Sequence, residues 1–541
     1  MRIKNCIPFF RQPNHAVQPQ AACGDIGSNH NVKRHRFLRP LHIPKESVDI
    51  DKRFMASIMI QGTASSAGKS LIAAAFCRIF SNDGRRVCPF KSQNMSLNSY
   101  VTREGLEMGR AQALQAQAAR VEPSAAMNPI LLKPTTNRQS QVILNGKPFR
   151  NMDAADYFAF KPSLKEMIRA AYRRVAESCE IVVIEGAGSP AEINLMENDI
   201  VNMGMAEIAD APVLLVADID RGGVFAAIYG TIMLLPEEQR ARIKGVIINK
   251  FRGDVALLQP GLDQIERLTG VPVLGVIPHI PDLRLDEEDS ATEFARQTGA
   301  PIDICVVKLP RISNFTDFDA FRAEPDAAVR YIATPDDIGA ADLLILPGSK
   351  NTIEDLRWLK QAGFADALRR FSGLIFGICG GYQMLGEMIV DADGWEVGRG
   401  ETEAGLGLFQ TTTIFQGEKI TANVSGAAFD CAISGYEIHA GKTVGNAQPF
   451  VNITAKDGRA AAYADGDMRD HRVFGTYIHG LFDSGAFRSA FLNRIRRAKS
   501  LAEQSGADRG HVRDAELERL AAVARAHVKM ERVYALLSAP L

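Results

Sequence analysis

The stretch that decides the fold of this chain reads Gln61-Gly62-Thr63-Ala64-Ser65-Ser66-Ala67-Gly68-Lys69-Ser70. An apolar run precedes it and an alanine-rich segment follows it, which predicts a strand, a glycine-containing loop and a helix. Glycines let successive backbone N–H groups wrap a phosphate, a lysine reaches the terminal phosphates, and a serine hydroxyl suits Mg²⁺. The helix that follows adds its partial positive charge. The stretch therefore predicts a phosphate-binding loop for a nucleotide.

The spacing of this loop departs from the usual form. Five residues separate Gly62 from Gly68, where four are usual, and Thr63 stands at the position of the usual first glycine. A chance Gly-Lys-Ser after a strand is the alternative interpretation. The predicted nucleotide-binding residues are Thr63, Ser66, Ala67, Gly68, Lys69, Ser70 and, at the end of a later strand, Asn249.

Two charged residues end other predicted strands. Lys91 follows the apolar run 87–90, where it can act with Lys69 as a second catalytic cation on a transferring phosphate. The alternative for Lys91 is a solvated surface charge. Glu185 ends the run 181–185, where its carboxylate can hold Mg²⁺ together with the Ser70 hydroxyl. The alternative for Glu185 is a helix-capping acid.

The apolar runs of the first half alternate with helical stretches, which predicts a parallel sheet with crossover helices. The runs cover residues 57–61, 87–90, 181–185, 213–217, 245–249 and 273–277. Ligands of such sheets bind beyond the carboxyl ends of the strands, so the motifs above should converge on one crevice. A second α/β unit follows, with runs at 302–309, 343–346 and 374–378, a more β-like region at 405–480 and a terminal amphipathic helix at 515–537.

A second motif, Gly377-Ile378-Cys379-Gly380-Gly381-Tyr382-Gln383, is typical of a nucleophile elbow. Its glycines permit a sharp strand-to-helix turn that projects the thiol of Cys379, and the N–H of Gly380 can stabilise an oxyanion. His479, in Thr476-Tyr477-Ile478-His479-Gly480, is the natural base to generate the thiolate. A lone cysteine or histidine is more often structural, but the elbow favours a catalytic pair. Beside an ATP site, such a thiol indicates nitrogen supply by amide hydrolysis, and hence an amidating enzyme.

Further residues are expected around the thiol. The segment 346–352 ends another strand and can supply the second oxyanion donor through Gly348 and Ser349, and Gln383 is expected to contact glutamine. Glutamine-hydrolysing domains of the triad class usually carry a glutamate two residues after the histidine, where this chain has Leu481. His479 therefore either lacks a carboxylate that orients it or borrows one from elsewhere in the chain, for which Glu437 is a candidate.

The composition is that of an ordinary globular protein. The 541 residues are 46% hydrophobic, and 63 lysines and arginines balance 63 acids, so neither a nucleic acid nor a membrane partner is expected. Eight scattered cysteines without metal-ligand spacing fit a reduced cytoplasm. Residues 1–54 are rich in arginine and lack apolar periodicity, so we expect a disordered extension or a true start at Met55, with a transit peptide as the alternative. The sequence does not predict the oligomeric state.

Several long motifs, taken in order, resemble one family, the cobyric acid synthases of cobalamin biosynthesis. The resemblance covers about residues 55–500 and rests on the phosphate loop, the cysteine elbow and the segments 91–99, 109–113, 128–134, 185–194, 217–225 and 310–317. It implies an α/β fold in which a P-loop, dethiobiotin-synthetase-like parallel-sheet domain precedes a class I glutamine amidotransferase-like domain. The unusual loop spacing and the missing glutamate are both normal for that superfamily. The predicted divisions are 1–54, a synthetase domain at 55–298, an amidotransferase domain at 301–495 and a helical tail at 496–541.

The resemblance implies that ATP, Mg²⁺, glutamine and an adenosylated corrinoid are used. The implied reaction amidates the b, d, e and g carboxylates of adenosylcobyrinic acid a,c-diamide to give adenosylcobyric acid, through acyl phosphates and ammonia released from glutamine. One rival is the related a,c-diamide synthase, against which the block 93–99 argues. The other rival is a non-enzymatic ATPase switch, which would leave the cysteine elbow and residues 300–490 without a use.

Overall fold

The computed structural model describes residues 56–135, 139–285, 299–445 and 448–538. The expectation for residues 1–54 lies outside the described residues. Within the described ranges, no helix combines the length and the apolar character needed to cross a membrane.

A twisted parallel sheet forms the first half of the described chain. Its described strands run in the spatial order Val273–Pro278, Ile243–Phe251, Val213–Asp218, Ala56–Gly62, Ile181–Glu185 and Val87–Phe90. All neighbouring pairs are parallel, and every apolar run predicted for this half is confirmed as a strand. The strands are buried on both faces because helices cover both sides, as expected for a parallel sheet. The α-helices of this half are Lys69–Asn82, Arg110–Ala118, Ala154–Phe160, Lys165–Ala176, Met203–Ala209, Val224–Met233, Glu237–Arg240 and Val255–Thr269.

Two small sheets are formed by the chain between Val87–Phe90 and Ile181–Glu185, two strands of the parallel sheet. Gln93–Met95, Ile130–Pro134, Gln139–Leu144 and Lys147–Asp153 form one of them. Ser99–Val101 pairs with Glu107–Gly109 in the other, and the helix Arg110–Ala118 follows directly. The insertion therefore leads from a largely buried hairpin straight to a helix beside the phosphate loop.

The second half is built on another mainly parallel sheet. Its described strands run in the order Ala327–Ile332, Ile302–Val307, Leu343–Leu346, Leu374–Ile378, Val473–Thr476 and Asp467–Arg469, with the last pair antiparallel. The predicted runs at 343–346 and 374–378 are confirmed, and the run 302–309 ends at Val307. The α-helices of this half are Thr352–Gln361, Phe364–Arg370, Gly380–Leu385 and Gly485–Ala498.

The β-like region predicted at 405–480 is confirmed as layers of mostly antiparallel strands. One layer contains Glu401–Ala404, Met388–Asp391, Thr411–Ile414 and Lys442–Gly445. The other contains Arg459–Asp465, Val451–Lys456, Ile420–Ala428, Cys431–His439 and Ile478–His479. The pairing of Cys431–His439 with Ile478–His479 brings the segment around His479 against this layer.

The end of the chain differs from the single helix predicted at 515–537. Two helices, Arg509–His527 and Met530–Ser538, are separated at Val528, which forms a β-bridge with Gly275. The break arises because Val528 adopts an extended conformation to pair with the sheet, which a continuous helix does not allow.

Candidate active sites

The phosphate loop has the geometry of an anion cradle. Gly68 has φ +97° and Ser66 has φ +59°, so the chain turns sharply before the helix Lys69–Asn82 begins. A Cβ on Gly68 would lie 2.2 Å from Nδ2 of Asn249, which itself donates to the carbonyl of Ala67 at 3.1 Å. Only glycine fits at this position, because the backbone angle and the Asn249 amide both exclude a side chain.

The predicted nucleotide-binding residues are brought together on this loop. The Lys69 ammonium lies across the loop and donates to the carbonyls of Ala64 and Gly188 at 2.9 and 3.0 Å. Its aliphatic stem packs on Gly62, where a Cβ would meet it at 3.0 Å. The N–H of Thr63 bonds to the sheet through the Val216 carbonyl at 2.9 Å. The strand containing Asn249 extends to Phe251, two residues beyond the predicted end, and holds the Asn249 amide against the loop.

Glu185 is the centre of a buried network at the carboxyl end of its strand. One carboxylate oxygen accepts from Ser70 Oγ at 2.7 Å and from the Lys91 ammonium at 2.9 Å. The other accepts from the side-chain amides of Gln115 at 2.6 Å and Gln112 at 3.1 Å. Burial by itself would raise the pKa of Glu185, but the Lys91 charge and these hydrogen bonds hold it below its usual range. The carboxylate is therefore ionised at neutral pH.

This network fits a nucleotide with Mg²⁺. The Ser70 hydroxyl and the Glu185 carboxylate oxygen lie 2.7 Å apart, and hard oxygen donors of this kind suit Mg²⁺ beside substrate phosphates. The amide nitrogen of Gln115 binds Glu185, while its buried side-chain oxygen has no hydrogen-bond partner among the described residues and can accept from a ligand or its water. Lys91 is not a solvated surface charge, because its side chain is 5% exposed and its ammonium group is ion-paired with Glu185 beside the phosphate loop.

The cysteine elbow is observed as a strained strand-to-helix turn. Cys379 has φ +52° and ψ −108°, a conformation that non-glycine residues rarely adopt. Its N–H donates to the Thr476 carbonyl at 2.8 Å. A Cβ on Gly381 would lie 2.0 Å from the Leu346 carbonyl, and one on Gly380 would lie 2.8 Å from the Ser349 nitrogen. The glycines are thus required by close backbone approach, and the turn leaves the thiol at the start of the helix Gly380–Leu385.

His479, the predicted base, is close enough to the Cys379 thiol to interact with it electrostatically. Its ring is fully buried, and the thiol itself donates to the Ile438 carbonyl, with sulfur and oxygen 3.8 Å apart. Its Nδ1 lies 2.7 Å from a carboxylate oxygen of Asp317, whose other oxygen accepts from the N–H of Gly480 at 3.0 Å. Burial would lower the pKa of His479, but the Asp317 carboxylate and the Cys379 thiol raise it to about 10. The arrangement favours a thiolate–imidazolium pair, which is the reactive form of a cysteine nucleophile.

The prediction that Glu437 orients His479 is wrong. Glu437 accepts a hydrogen bond from the Tyr463 hydroxyl at 3.1 Å and lies 3.8 Å from the Lys456 ammonium, while Asp317 occupies Nδ1 of the histidine. The physical reason is register: Glu437 pairs with Ile478, so the strand places its side chain away from the imidazole edge. Asp317 ends the segment 310–317 and lies in the mostly buried 3₁₀ turn Phe315–Ala323, where no local pattern marked it as a partner of His479.

The remaining residues predicted around the thiol also gather there. Gly348–Ser349 forms a short antiparallel pair with Ile312–Ser313, which connects the proposed oxyanion loop to the segment that leads to Asp317. A Cβ on Gly348 would lie 3.2 Å from Cε1 of His479. The side-chain amide of Gln383 donates to the Ala440 carbonyl and the Tyr477 hydroxyl at 3.0 and 3.1 Å, so its nitrogen is bound within the protein.

The two sites are joined by buried contacts between the halves of the chain. Ser99 N–H donates to the side chain of Asn314 at 2.8 Å, and Phe315 N–H donates to that of Asn98 at 3.1 Å. Nearby, Glu107 accepts from the ammonium groups of Lys133 at 2.8 Å and Lys419 at 2.6 Å. These buried polar contacts join the half of the chain that carries the thiol to the half that carries the phosphate loop.

Comparison with known proteins finds one family model for each half of the chain. The model of the CobQ/CobB/MinD/ParA nucleotide binding domain matches residues 58–292, and that of the CobB/CobQ-like glutamine amidotransferase domain matches residues 303–487. The chain is 52% identical over 492 residues to a cobyric acid synthase of Clostridium botulinum (strain Loch Maree / Type A3), covering 89% of this chain and 99% of the relative. It is 51% identical over 501 residues to a cobyric acid synthase of Photorhabdus laumondii, covering 88% and 97%.

A nucleotide-binding domain with a phosphate loop, followed by a glutamine amidotransferase domain with a cysteine–histidine pair, defines an ATP- and glutamine-dependent amide-forming ligase. The extent of the likeness to the curated relatives then decides the family. The chain belongs to the cobyric acid synthase family and acts in cobalamin biosynthesis.

Proposed function

We propose that this chain amidates the b, d, e and g carboxylates of adenosylcobyrinic acid a,c-diamide to give adenosylcobyric acid. The observation that carries the proposal is the presence in one chain of a Glu185-centred phosphate site and a Cys379–His479–Asp317 site, joined by buried polar contacts. A nitrogen source and an activated acceptor are the two requirements of amide formation from a carboxylate. The amidotransferase domain matched at 303–487 has no use in an ATPase switch, which disfavours that rival.

The synthetase site activates the acceptor. A carboxylate is a poor electrophile, so its oxygen first takes the γ-phosphoryl group of ATP and phosphate becomes the leaving group. Lys69 and Lys91 place positive charge on the transferring phosphoryl group, and the loop amides from Ala64 to Ser70 hold the phosphates. Ser70 and Glu185 would hold Mg²⁺, which when bound neutralises phosphate charge.

The amidotransferase site supplies the nitrogen. The thiolate of Cys379 attacks the side-chain carbonyl of glutamine, and the oxyanion is stabilised by the N–H groups of Gly380 and of the 348–349 loop. Imidazolium His479 then protonates the leaving nitrogen, so ammonia departs and a thioester remains. Water, deprotonated by His479, hydrolyses the thioester to glutamate and regenerates the thiol. Asp317 keeps the imidazole in the orientation that both proton transfers require.

Ammonia must reach the acyl phosphate without meeting bulk water, because ammonium is not nucleophilic. The buried contacts around Asn98, Ser99 and Asn314 support a shielded route between the sites. Glutamine and the corrinoid are small molecules, and we propose that the reaction takes place in the cytoplasm.

The acceptor specificity is tested by mass spectrometry of the product formed from the a,c-diamide with ATP and glutamine. Four amidations, each lowering the acceptor's mass by the exchange of a hydroxyl for an amino group, are the expected result. No reaction with the a,c-diamide, but two amidations of the unamidated precursor, would assign the chain to the a,c-diamide synthase reaction instead.

The division of labour between the sites is tested with two alanine variants of the full chain. Cys379→Ala should abolish glutamine-dependent amidation and leave amidation by ammonia at high pH, because the thiol only generates ammonia. Lys69→Ala should lower amidation with either nitrogen source by about 10³-fold or more, because phosphoryl transfer precedes the arrival of nitrogen. Failure of ammonia to rescue Cys379→Ala, in a folded protein, would contradict the proposed role of the thiol.

A further inference from the structure

Lys350 comes directly after Gly348 and Ser349, the residues of the proposed oxyanion loop. Its ammonium group donates to the side-chain oxygen of Gln141, in the synthetase half, at 3.2 Å, and no other acceptor contacts it among the described residues. An ammonium group has three N–H donors, so donors remain for a ligand. The backbone N–H of Lys350 donates to the Arg311 carbonyl at 3.0 Å, which fixes the start of the side chain beside the oxyanion loop.

Glu396 is held against the same segment from another loop. Its carboxylate accepts from the N–H of Ile353 at 2.9 Å, and its backbone carbonyl accepts from the side-chain amide of Asn351 at 3.2 Å. Its own N–H donates to the Asp391 carboxylate at 2.9 Å, which fixes the loop. The carboxylate of Glu396 is therefore preorganised beside the segment that carries Lys350.

Lys350 and Glu396 line one recess, in which their charges are left unmatched. Burial, with the charges of Lys419 and Lys133, lowers the pKa of Lys350 to about 7. Burial also raises the pKa of Glu396 to about 7, against the hydrogen bonds that it accepts. Both side chains stay half-buried, so solvent reaches them, and the charge of each acts on the pKa of the other. No ion pair involves either side chain among the described residues, so the recess presents a cation and an anion that a ligand can pair.

This recess adjoins the thiol site. A Cβ on Gly380 would lie 2.8 Å from the Ser349 nitrogen, and one on Gly348 would lie 3.2 Å from Cε1 of His479. The γ-carboxamide of glutamine must lie at Cys379, and only a short methylene chain separates it from the α-carboxylate and the α-ammonium group. The two charges of the substrate must therefore be bound close to the oxyanion loop.

We propose that Lys350 binds the α-carboxylate of glutamine and that Glu396 binds its α-ammonium group. A free α-amino acid carries one charge of each sign, so it pairs both side chains of the recess, and pairing removes the cost of leaving such charges unmatched. The side-chain nitrogen of Gln383, which was expected to contact glutamine, is bound within the protein, so recognition falls to other residues. This inference rests on the glutamine hydrolysis of the proposed function and names the residues that select glutamine.

The test compares glutamine with two analogues that each lack one of its charges. Glutaramate lacks the α-ammonium group, and γ-aminobutyramide lacks the α-carboxylate. Hydrolysis of each carboxamide is measured as its carboxylic acid product, with ATP and the a,c-diamide present and with both omitted. The wild-type selectivity is the ratio of kcat/KM for glutamine to kcat/KM for each analogue.

Lys350→Met should lower kcat/KM for glutamine by about 10- to 100-fold, mainly through KM, because a charged hydrogen bond to bound substrate is lost. Its kcat/KM for γ-aminobutyramide should stay near the wild-type value, since this analogue has no carboxylate to bind. Glu396→Gln should lower kcat/KM for glutamine on the same scale and leave that for glutaramate near the wild-type value. Amidation by ammonia should be unchanged in both variants.

Lys499→Met and Glu401→Gln are the matched controls. The Lys499 ammonium binds Asp342 at the amino end of its strand, whereas the cysteine elbow follows the carboxyl end of the neighbouring strand. The Glu401 carboxylate is half-exposed and pairs with Arg357. Both controls should keep the wild-type selectivity for glutamine over the two analogues.

Folded Lys350 and Glu396 variants whose selectivity stays within about twofold of wild type would overturn the proposal. A raised KM for the a,c-diamide with an unchanged KM for glutamine would also overturn it, and would assign the recess to a carboxylate of the corrinoid. Failure of the proposed function would look different, since the wild-type enzyme would then hydrolyse glutamine selectively and form no amide on the a,c-diamide.

Discussion

Asp317 shows how a single buried carboxylate can complete a catalytic site from a distant part of the chain. Its two oxygens bind Nδ1 of His479 and the N–H of Gly480, and its side chain is 3% exposed. Because both carboxylate oxygens are engaged, Asp317 keeps a proton on Nδ1 of His479 and fixes the position of the ring. The glutamate that usually follows the histidine is thus replaced by an aspartate 162 residues earlier in the chain.

Asp317→Asn should lower glutamine-dependent amidation by about 10³-fold or more, the scale of losing the orienting acid of a triad. The Gly480 N–H would select the amide oxygen, so the amide NH₂ would face Nδ1 and move the ring proton to Nε2. His479 could then no longer accept the proton of Cys379. Steady-state rates with glutamine and with ammonia check the prediction, and ammonia-dependent amidation serves as the internal control.

The same variant has a second readout in the pH dependence of stability. The pKa of His479 is raised from 6.5 to about 10, so the stability that it contributes is complete below pH 6.5 and is lost as pH rises through 10. Urea unfolding of the wild type should therefore show a decline from pH 7 to pH 10 that is smaller in Asp317→Asn. Equal pH profiles for the two proteins would mean that the carboxylate does not hold a charged imidazole.

At the scale of elements, the C-terminal helix Arg509–His527 is a structural part of the nucleotide site. It packs on the helix Lys69–Asn82, and the two helices share a buried cluster that includes Leu517, Leu520 and Ala524. The fully buried guanidinium of Arg78 pairs with Asp514 and Glu518 at 2.7 and 2.8 Å, which fixes the register of the two helices. The helix Lys69–Asn82, which begins at the phosphate loop, is therefore stabilised by packing against the helix Arg509–His527.

Leu520→Ala should lower the free energy of unfolding by about 2–5 kcal/mol, because the truncated side chain leaves a cavity between two helices. Chemical denaturation measures the change. Leu257→Ala is the matched control, since Leu257 is 84% exposed and its removal should change the free energy by about 0.5 kcal/mol or less. Equal effects of the two substitutions would indicate that the C-terminal helix does not pack as described.

At the scale of the whole molecule, a buried ion cluster holds the synthetase and amidotransferase halves together. Glu107 is fully buried and accepts from Lys133 of its own half, from Lys419 of the other half and from the Ser99 hydroxyl at 2.7 Å. Burial would raise the pKa of Glu107, but the two ammonium groups hold it well below its usual range. The interface therefore depends on a charged carboxylate that neither half could satisfy alone.

Glu107→Gln should destabilise the protein by about 3–5 kcal/mol, because it leaves two buried ammonium groups without their carboxylate. In the wild type, this contribution is present above about pH 4.5 and is lost as pH falls, since the folded-state pKa of Glu107 is depressed. Chemical denaturation at neutral pH checks the magnitude. Glu401→Gln, which removes a half-exposed carboxylate paired with Arg357 at 3.1 Å, should cost about 1 kcal/mol or less.

The positions of the parallel strands, the phosphate loop and the cysteine elbow could be predicted without a structure. Each of these features depends on one contiguous stretch of sequence, in which the spacing of apolar residues and glycines forms a recognisable local pattern. The strand pattern was confirmed because a strand buried on both faces must be apolar throughout, whatever packs on it. The break at Val528 was not predicted because the helical pattern of apolar residues continues through it. The break depends on the bridge to Gly275, which lies in a strand far away in the sequence.

Which side chains contact each other depends on the packing of distant segments. Asp317 and His479, Gln115 and Glu185, and Glu107 and Lys419 lie 70 to 312 residues apart, and none of these pairs leaves a periodic signal in the chain. Glu437 is closer to His479 in sequence than Asp317 is, but it pairs with Ile478 in the sheet, so its side chain lies on the opposite face from the imidazole. Local physics determines which elements form, whereas the orienting acid and the coupling between the sites depend on how those elements pack.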